Sequence, residues 1–165
     1  MKKIPTLSPV RKFLVSQTQT MGLCLLTVNK IERGGYIGRY WGPLRKPGTL
    51  AKIKDDGVNF YAFTLSNGFI IDGNNRNNIF RRMNHSCDPN VNVVETIGHD
   101  KELGIYFFAK PTIHPGEELT IDYLFSTDDY SPQNLAKLRC LCKSPLCRGT
   151  MLDIKNVSSK STESK

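Results

Sequence analysis

The run "CLCKSPLC", residues 140–147, carries three cysteines at Cys-x-Cys-x4-Cys spacing. Thiolates that close together can grip one tetrahedral Zn2+ from a single tight loop, and a closed structural site wants four ligands. Cys140, Cys142 and Cys147 supply three. The fourth must come from elsewhere, and Cys87 is the candidate, which leaves Cys24 as an odd thiol. Cys87 stands in "RRMNHSCDPN", where Asn84, His85, Ser86 and Cys87 line up ahead of an Asp-Pro turn signal. A buried strand would not choose these residues, and a solvated loop has no use for the cysteine. A metal tying Cys87 to the C-terminal loop accounts for the thiol, and its binding free energy becomes folding free energy.

These groups need elements to hold them. "LCLLTV" (23–28) and "YIGRYW" (36–41) read as strands, separated by a turn at Gly34-Gly35. Residues 43–58 are rich in Lys, Pro, Gly and Asp and read as a loop with a short helix at 49–54. "VNFYAFTL" and "FIID" flank Ser66-Asn67-Gly68, a hairpin signal. Residues 78–83 suit one helical turn. "NVNVVETI" and "LGIYFFAK" form a second hairpin across "GHDKE". "PTIHPGEELTIDYLF" is a turn leading into a short strand, and "SPQNLAKLR" (131–139) a helical stub. The last ten residues lack apolar mass and read as disordered. The pattern is a small, mostly β domain of several short sheets, without internal repeats or long alternating helices.

The chain has 165 residues, enough for one domain with a core, and its 39% hydrophobic and 23% charged content is ordinary for a soluble globular protein. Pro5 and Pro9 break the basic N-terminus and no apolar run follows, so no signal peptide or membrane span is expected. An odd cysteine count in that setting argues against a disulfide framework and for a reducing, intracellular compartment. Net charge is +8, with residues 1–54 at +10 and the remainder at −2. A basic third suits a polyanionic partner such as nucleic acid or chromatin, or simply a solvated face.

"NHSCDPN", then "GEELTIDY", then Cys-x-Cys-x4-Cys-Arg-Gly occur in an order and spacing that strongly resemble a SET-domain protein lysine methyltransferase with a post-SET zinc motif. The likeness covers roughly residues 20–151. It implies a SET-domain fold of several small sheets with a knot-like threaded segment, in which the stretch ahead of Tyr123 passes near the Asn-His loop, and a C-terminal zinc-binding post-SET loop. It divides the chain into a lead-in (1–20), a catalytic domain (21–126), a zinc segment (127–152) and a tail (153–165). It implies S-adenosylmethionine as methyl donor beside one structural Zn2+.

Residue by residue, "MGLC" (Met21, Gly22, Leu23, Cys24) resembles the family's Gly-x-Gly cofactor loop, with Cys24 standing where the second glycine is expected. Tyr40 in "RYWG" resembles the tyrosine of Glu-Tyr-x-Gly, with Arg39 in place of the acid. Tyr61 resembles a tyrosine near the cofactor. "NNIFRRMNHSC" resembles Gly-Asn-x-x-Arg-Phe-x-Asn-His-Ser-Cys, with Asn77 for Gly and Arg82 for Phe. The resemblance implies that Asn84 and His85 contact the cofactor, partly through backbone atoms, and that Leu141 packs on it. Tyr123 would serve at the methyl-transfer centre and Tyr40 would line the lysine channel. Ile121 stands two before that tyrosine, where the family often has Phe or Tyr, and its smaller side chain implies room for di- or trimethylation.

Such a reaction is an in-line displacement, in which positioning alone can be worth on the order of several kcal/mol. The lysine must arrive neutral although its solution pKa is about 10.4, and an aromatic, desolvating channel favours loss of its proton. His85 then acts as a neutral brace rather than a general base. Glu117, Glu118, Asp122, Asp128 and Asp129 form an acidic rim that would steer a basic partner, a histone tail or other basic protein, while the basic third could contact nucleosomal DNA. A chromatin or nuclear location follows, in a host nucleus if the source is a microbe or virus. Two other classes fit parts of the sequence: a catalytically silent SET-like domain binding peptide or chromatin, and a zinc-stapled nucleic-acid module.

Overall fold

Short β-prone runs punctuated by glycine and asparagine turns leave no room for long elements. The computed structural model describes residues 12–49, 61–74 and 77–154. The strands are β1 Phe13–Gln17, β2 Leu23–Thr27, β3 Tyr36–Tyr40, β4 Leu44–Arg45, β5 Ala62–Thr64, β6 Ile70–Asp72, β7 Asn84–His85, β8 Val91–Ile97, β9 Leu103–Ala109 and β10 Thr120–Ile121. A 3-10 turn spans Ile79–Arg82, and α1 is Pro132–Lys137. Among the described residues the strands make four small sheets, ordered β1-β2, β4-β6-β5, β3-β9-β8 and β10-β7. No helix there is long and apolar enough to cross a membrane.

Both hairpins form as the turn residues predict. Leu65 N–H donates to the Phe69 carbonyl at 2.8 Å, closing a three-residue loop whose last member, Gly68, is left-handed at φ 82°. β8 and β9 pair antiparallel in unbroken register from Val91↔Ala109 to Ile97↔Leu103. α1 begins at Ser131, whose hydroxyl accepts from the Asn134 N–H at 3.3 Å with Pro132 in the first turn.

Three readings change. The lead-in to residue 20 contains β1, which pairs with all of β2 from Phe13↔Thr27 to Gln17↔Leu23. Three of its five residues are apolar, but Leu14 and Val15 stay exposed and Phe13 is the one packed against the core. The 43–58 loop holds a two-residue strand, β4, paired to β6. Of the described part of "VNFYAFTL", Ala62–Thr64 is strand, with Tyr61 and Leu65 outside it. The short helix expected at 49–54 and nearly all of the tail lie outside the described residues.

The core gathers Leu25, Phe107, Ile113 and Leu119, none of them measurably exposed, with Met83 and Val91 beside them. An aromatic line crosses it: Phe80 to Phe107 at 5.5 Å, Phe107 to Tyr40 at 6.1 Å, and Tyr40 to Phe63 at 4.8 Å, the last two edge-on.

β7 and β10 are parallel, with Thr120↔Asn84 and Ile121↔His85 aligned. The segment ahead of Tyr123 thus runs beside the Asn-His loop. Two residues per strand are a weak ladder, and Asn90 reinforces it. Its Oδ1 accepts from the Thr120 N–H at 2.9 Å and its Nδ2 donates to the Glu118 carbonyl at 2.8 Å. Asn90→Ala leaves both main-chain groups without this partner and should cost about 1–3 kcal/mol in urea unfolding. Asn92→Ala, at an exposed position two residues on in β8, should stay within about 0.5 kcal/mol of wild type.

Candidate functional site

Four sulfurs converge. Cys87, Cys140, Cys142 and Cys147 place every Sγ within 4.8 Å of the others. The Cys87 and Cys140 sulfurs are 3.6 Å apart and both residues are free thiols. A disulfide needs about 2.05 Å, whereas four thiolates about 2.3 Å from a tetrahedral ion stand about 3.8 Å from one another. Backbone N–H groups already point at the sulfurs: Arg148 to Cys87 at 3.3 Å, Cys142 to Cys140 at 3.3 Å and Gly149 to Cys147 at 3.4 Å. Such donors stabilise thiolate charge, so the donor set suits a thiophilic metal ion. The C-terminal segment folds back to make this possible. Cys140 N–H donates to the Gly149 carbonyl, and Phe125 N–H to that of Met151, both at 3.0 Å.

Beside the sulfurs lies the Asn-His pair. Asn84 Nδ2 donates to Glu118 Oε1 at 2.7 Å and to the Leu23 carbonyl at 3.3 Å, tying β7 to the start of β2. Gly22 before it is left-handed at φ 76°, and nothing lies within 4 Å of where a Cβ would project, so the backbone is open there. Met21 N–H caps the turn through Thr18 Oγ1 at 2.7 Å. Cys24 is 3% exposed, so its thiol is turned into the protein rather than onto the open turn. Burial, and then the nearby Glu118 charge, push that thiol above its ordinary range. Leu23 and Leu141 are exposed apolar side chains.

His85 is buried, with Nδ1 accepting from the Tyr123 N–H at 3.2 Å and Nε2 3.4 Å from Cys87 Sγ. Burial lowers its proton affinity, and Asp122 opposes that shift only in part. A neutral bracing ring fits this setting.

The Tyr123 hydroxyl donates to the Met83 carbonyl at 2.9 Å, and that of Tyr40 to the Tyr61 carbonyl at 3.1 Å. Burial drives both phenols far above the usual range, and the charge of Tyr123 bears on Tyr40. Both therefore stay protonated. With their single protons committed to main-chain carbonyls, each oxygen keeps its lone pairs for another partner. Gly73 makes room for this: a Cβ there would stand 1.9 Å from the Tyr40 hydroxyl oxygen.

A family model for the SET domain matches residues 22–124. The chain belongs to the SET-domain family. It is 45% identical over 92 residues to the histone-lysine N-methyltransferase set1 of Dictyostelium discoideum, covering 55% of this chain and 6% of that protein. It is 38% identical over 140 residues to the histone-lysine N-methyltransferase Set2 of Drosophila melanogaster, covering 82% of this chain and 6% of the relative. It is 38% identical over 139 residues to the H3 lysine-4 specific histone-lysine N-methyltransferase of Schizosaccharomyces pombe, covering 81% and 14%. The chain thus spans 6–14% of the length of these relatives.

Within this SET domain the acidic rim is mostly internal wiring. Glu118 holds Asn84, while Glu117 Oε2 accepts from the His114 N–H at 3.0 Å. Asp129 Oδ1 accepts from the Ser131 N–H at 2.9 Å. Asp122 takes both Arg148 terminal nitrogens at 2.7 Å. Of these partners only Arg148 is a cation, so Asp122 alone is neutralised, while Glu117, Glu118 and Asp129 are held by neutral donors. The sequence reading gave no structural role to Asn90, Arg148, Arg81 or Arg82. Arg81 stacks 4.8 Å from the Tyr61 ring centroid, and Arg82 Nη1 donates to the Tyr61 hydroxyl at 3.2 Å. The Arg-Gly after the last cysteine marked Arg148, but nothing local named Asp122 as its partner.

The sulfur cluster makes a direct prediction. Elemental analysis of the purified chain should find one thiophilic metal ion per molecule. Cys24→Ser should leave that content unchanged, and Cys87→Ser or Cys142→Ser should lower it and the unfolding temperature together. Content that follows Cys24 would exclude the cluster.

Proposed function

We propose that the chain transfers a methyl group from S-adenosylmethionine to the ε-amine of a protein lysine, in a histone tail or other basic protein. The observation that carries this is the pair of neutral phenols, buried Tyr40 and half-buried Tyr123, whose protons are both spent on main-chain carbonyls. Their lone pairs suit the N–H groups of an incoming amine and the electron-poor hydrogens of a sulfonium methyl. S-adenosylmethionine supplies that methyl, on a positively charged sulfur. Asn84, the open backbone at Gly22 and the exposed Leu23 and Leu141 form a polar and apolar cradle that fits such a ligand. Met21, Cys24, Tyr61 and His85 complete the proposed cofactor-binding set, with Cys24 and His85 contributing through backbone atoms because their side chains are buried.

No base is needed beyond desolvation. Burial around Tyr40 and Tyr123 disfavours an ammonium, and the sulfonium would repel it further. Cys87, Cys140, Cys142 and Cys147 would hold one structural Zn2+, which closes the C-terminal segment over the Asn-His loop. Residues 21–126 form the proposed catalytic unit and 127–152 the zinc segment. The substrate and a chromatin setting, in the source's own nucleus or a host's, are inferred from relatives named histone-lysine N-methyltransferases. Contact with nucleosomal DNA through the first third would draw on cations that partly have acidic partners already. There, Lys30 pairs with Glu32, Arg39 with Asp100, and Arg45 with Asp72.

Labelled methyl from S-adenosylmethionine should appear on histones in a mixed preparation. Tyr123→Phe should cut transfer roughly a hundredfold to a thousandfold, the effect of losing one placed polar contact in a transition state. Cofactor binding without transfer by the wild type would favour a silent peptide-binding domain instead. Ile121, 4% exposed beneath the site, lacks a hydroxyl to hold a methylated amine back. Mass spectrometry should find di- or trimethyl-lysine, and Ile121→Tyr should shift product toward monomethyl-lysine.

A further inference from the structure

His85 touches both centres at once. A peptide N–H can only donate, so the Tyr123 N–H at 3.2 Å requires a bare lone pair on Nδ1. The single proton of the neutral ring then sits on Nε2, 3.4 Å from Cys87 Sγ. Asp122 Oδ1 lies 3.5 Å from Nδ1, but that nitrogen has no proton to offer and both Asp122 oxygens are held by Arg148 at 2.7 Å. The ring therefore has one tautomer and two obligations.

Cys87 is the one member of the sulfur cluster that comes from outside the C-terminal loop. It receives two N–H groups, from His85 Nε2 and from Arg148 N at 3.3 Å. A metal-bound thiolate is a good acceptor for both, whereas a protonated thiol is a weak one. The Nε2–H···Sγ bond is then strongest when the metal site is filled. That same ring sets the backbone of Tyr123, whose phenol carries the proposed chemistry.

We propose that His85 is a positioning residue that couples the metal site to the methyl-transfer centre: its Nε2–H anchors the Cys87 sulfur and its Nδ1 anchors the Tyr123 amide. An occupied cluster locks the ring, and the ring locks the main chain beneath the catalytic phenol. An emptied cluster releases the ring and lets Tyr123 drift. The SET domain therefore senses its own metal at the active centre. The inference rests on the four-cysteine metal reading.

The test needs no substrate. In the metal-loaded wild type, two-bond 1H–15N correlations of labelled histidine should show His85 as the Nε2–H tautomer. The Tyr123 amide should exchange slowly, and stripping the metal with a chelator should speed it at least about tenfold, the loss of one hydrogen bond. His85→Ala should give up metal to a competing chelator roughly tenfold to a hundredfold more readily, as loss of a partner to a metal ligand does. Its Tyr123 amide should exchange fast even with metal bound. His85→Gln, which keeps one donor and one acceptor, should recover part of both effects. A wild-type Nδ1–H tautomer overturns the inference whether or not the variants fold. So does wild-type chelator resistance in His85→Ala. A wild-type chain that takes up no metal fails earlier and overturns the metal reading along with it.

Discussion

Two stretches distant in sequence, Asn84–His85 and Thr120–Ile121, must lie parallel and adjacent, because the proposed chemistry is hung on their ends. Parallel neighbours cannot be joined by a tight turn, so the whole β8–β9 hairpin and the run after it are spent on the return. The ladder itself is too short to hold. Side chains make up the difference: Asn90 across Thr120 and Glu118, Asn84 on Glu118, and His85 on the Tyr123 amide. Ser86 N–H adds one main-chain bond to the Ile121 carbonyl at 2.9 Å. The polar residues of "NHSCDPN" are thus mostly fasteners, which is why so dense a polar run can sit against a core.

The C-terminal segment closes the same region by a second route. The sulfur cluster holds one end of it. The Arg148–Asp122 pair holds it next to Tyr123, and the ladder around Phe125 and Met151 lies beyond. A two-toothed guanidinium–carboxylate pair fixes angle as well as distance. The arrangement has a cost: Arg148 Nε is buried without a protein partner. One idle nitrogen beside two charge-assisted bonds is a tolerable loss, and removing Asp122 would leave the whole cation poorly paired. A metal at the cluster and the ion pair would therefore act on one joint from two sides.

The local chemistry was legible in the sequence. Cysteine spacing pointed to a cluster, and the thiol at 87 could be assigned because a four-ligand site lacked one member. Hairpin turns were readable from Asn-Gly and from the break between two β-branched runs. What could not be read were choices made across distance. β1 looked like a lead-in because its apolar run is short and not alternating, and only its pairing with β2 makes it a strand. β4 pairs only because β6 offers its edge. The carboxylates of "GEELTIDY" looked like a surface because nothing in a linear string shows that Asn84 and Arg148 have already claimed them. Asn90 reads as an ordinary turn residue until β10 is laid beside it.

The departures from the family pattern bear on whether the domain is active. Arg39 stands where an acid is expected, yet Asp100 and Glu102 in the β8–β9 loop meet its charge and Tyr106 lies 5.4 Å beneath it. Arg82 stands for an aromatic residue, yet it donates to the Tyr61 hydroxyl instead of being left as a stray cation. Cys24 stands for glycine, and its side chain is buried opposite Ser16 on β1 while the open backbone is kept one turn earlier at Gly22. A decaying active site accumulates unpaired charges and blocked backbone, because nothing selects their partners. Here Arg39 and Arg82 each have a local partner, Cys24 is packed away, and the phenols of Tyr40 and Tyr123 bond main-chain carbonyls. That pattern fits the proposed activity better than a silent domain.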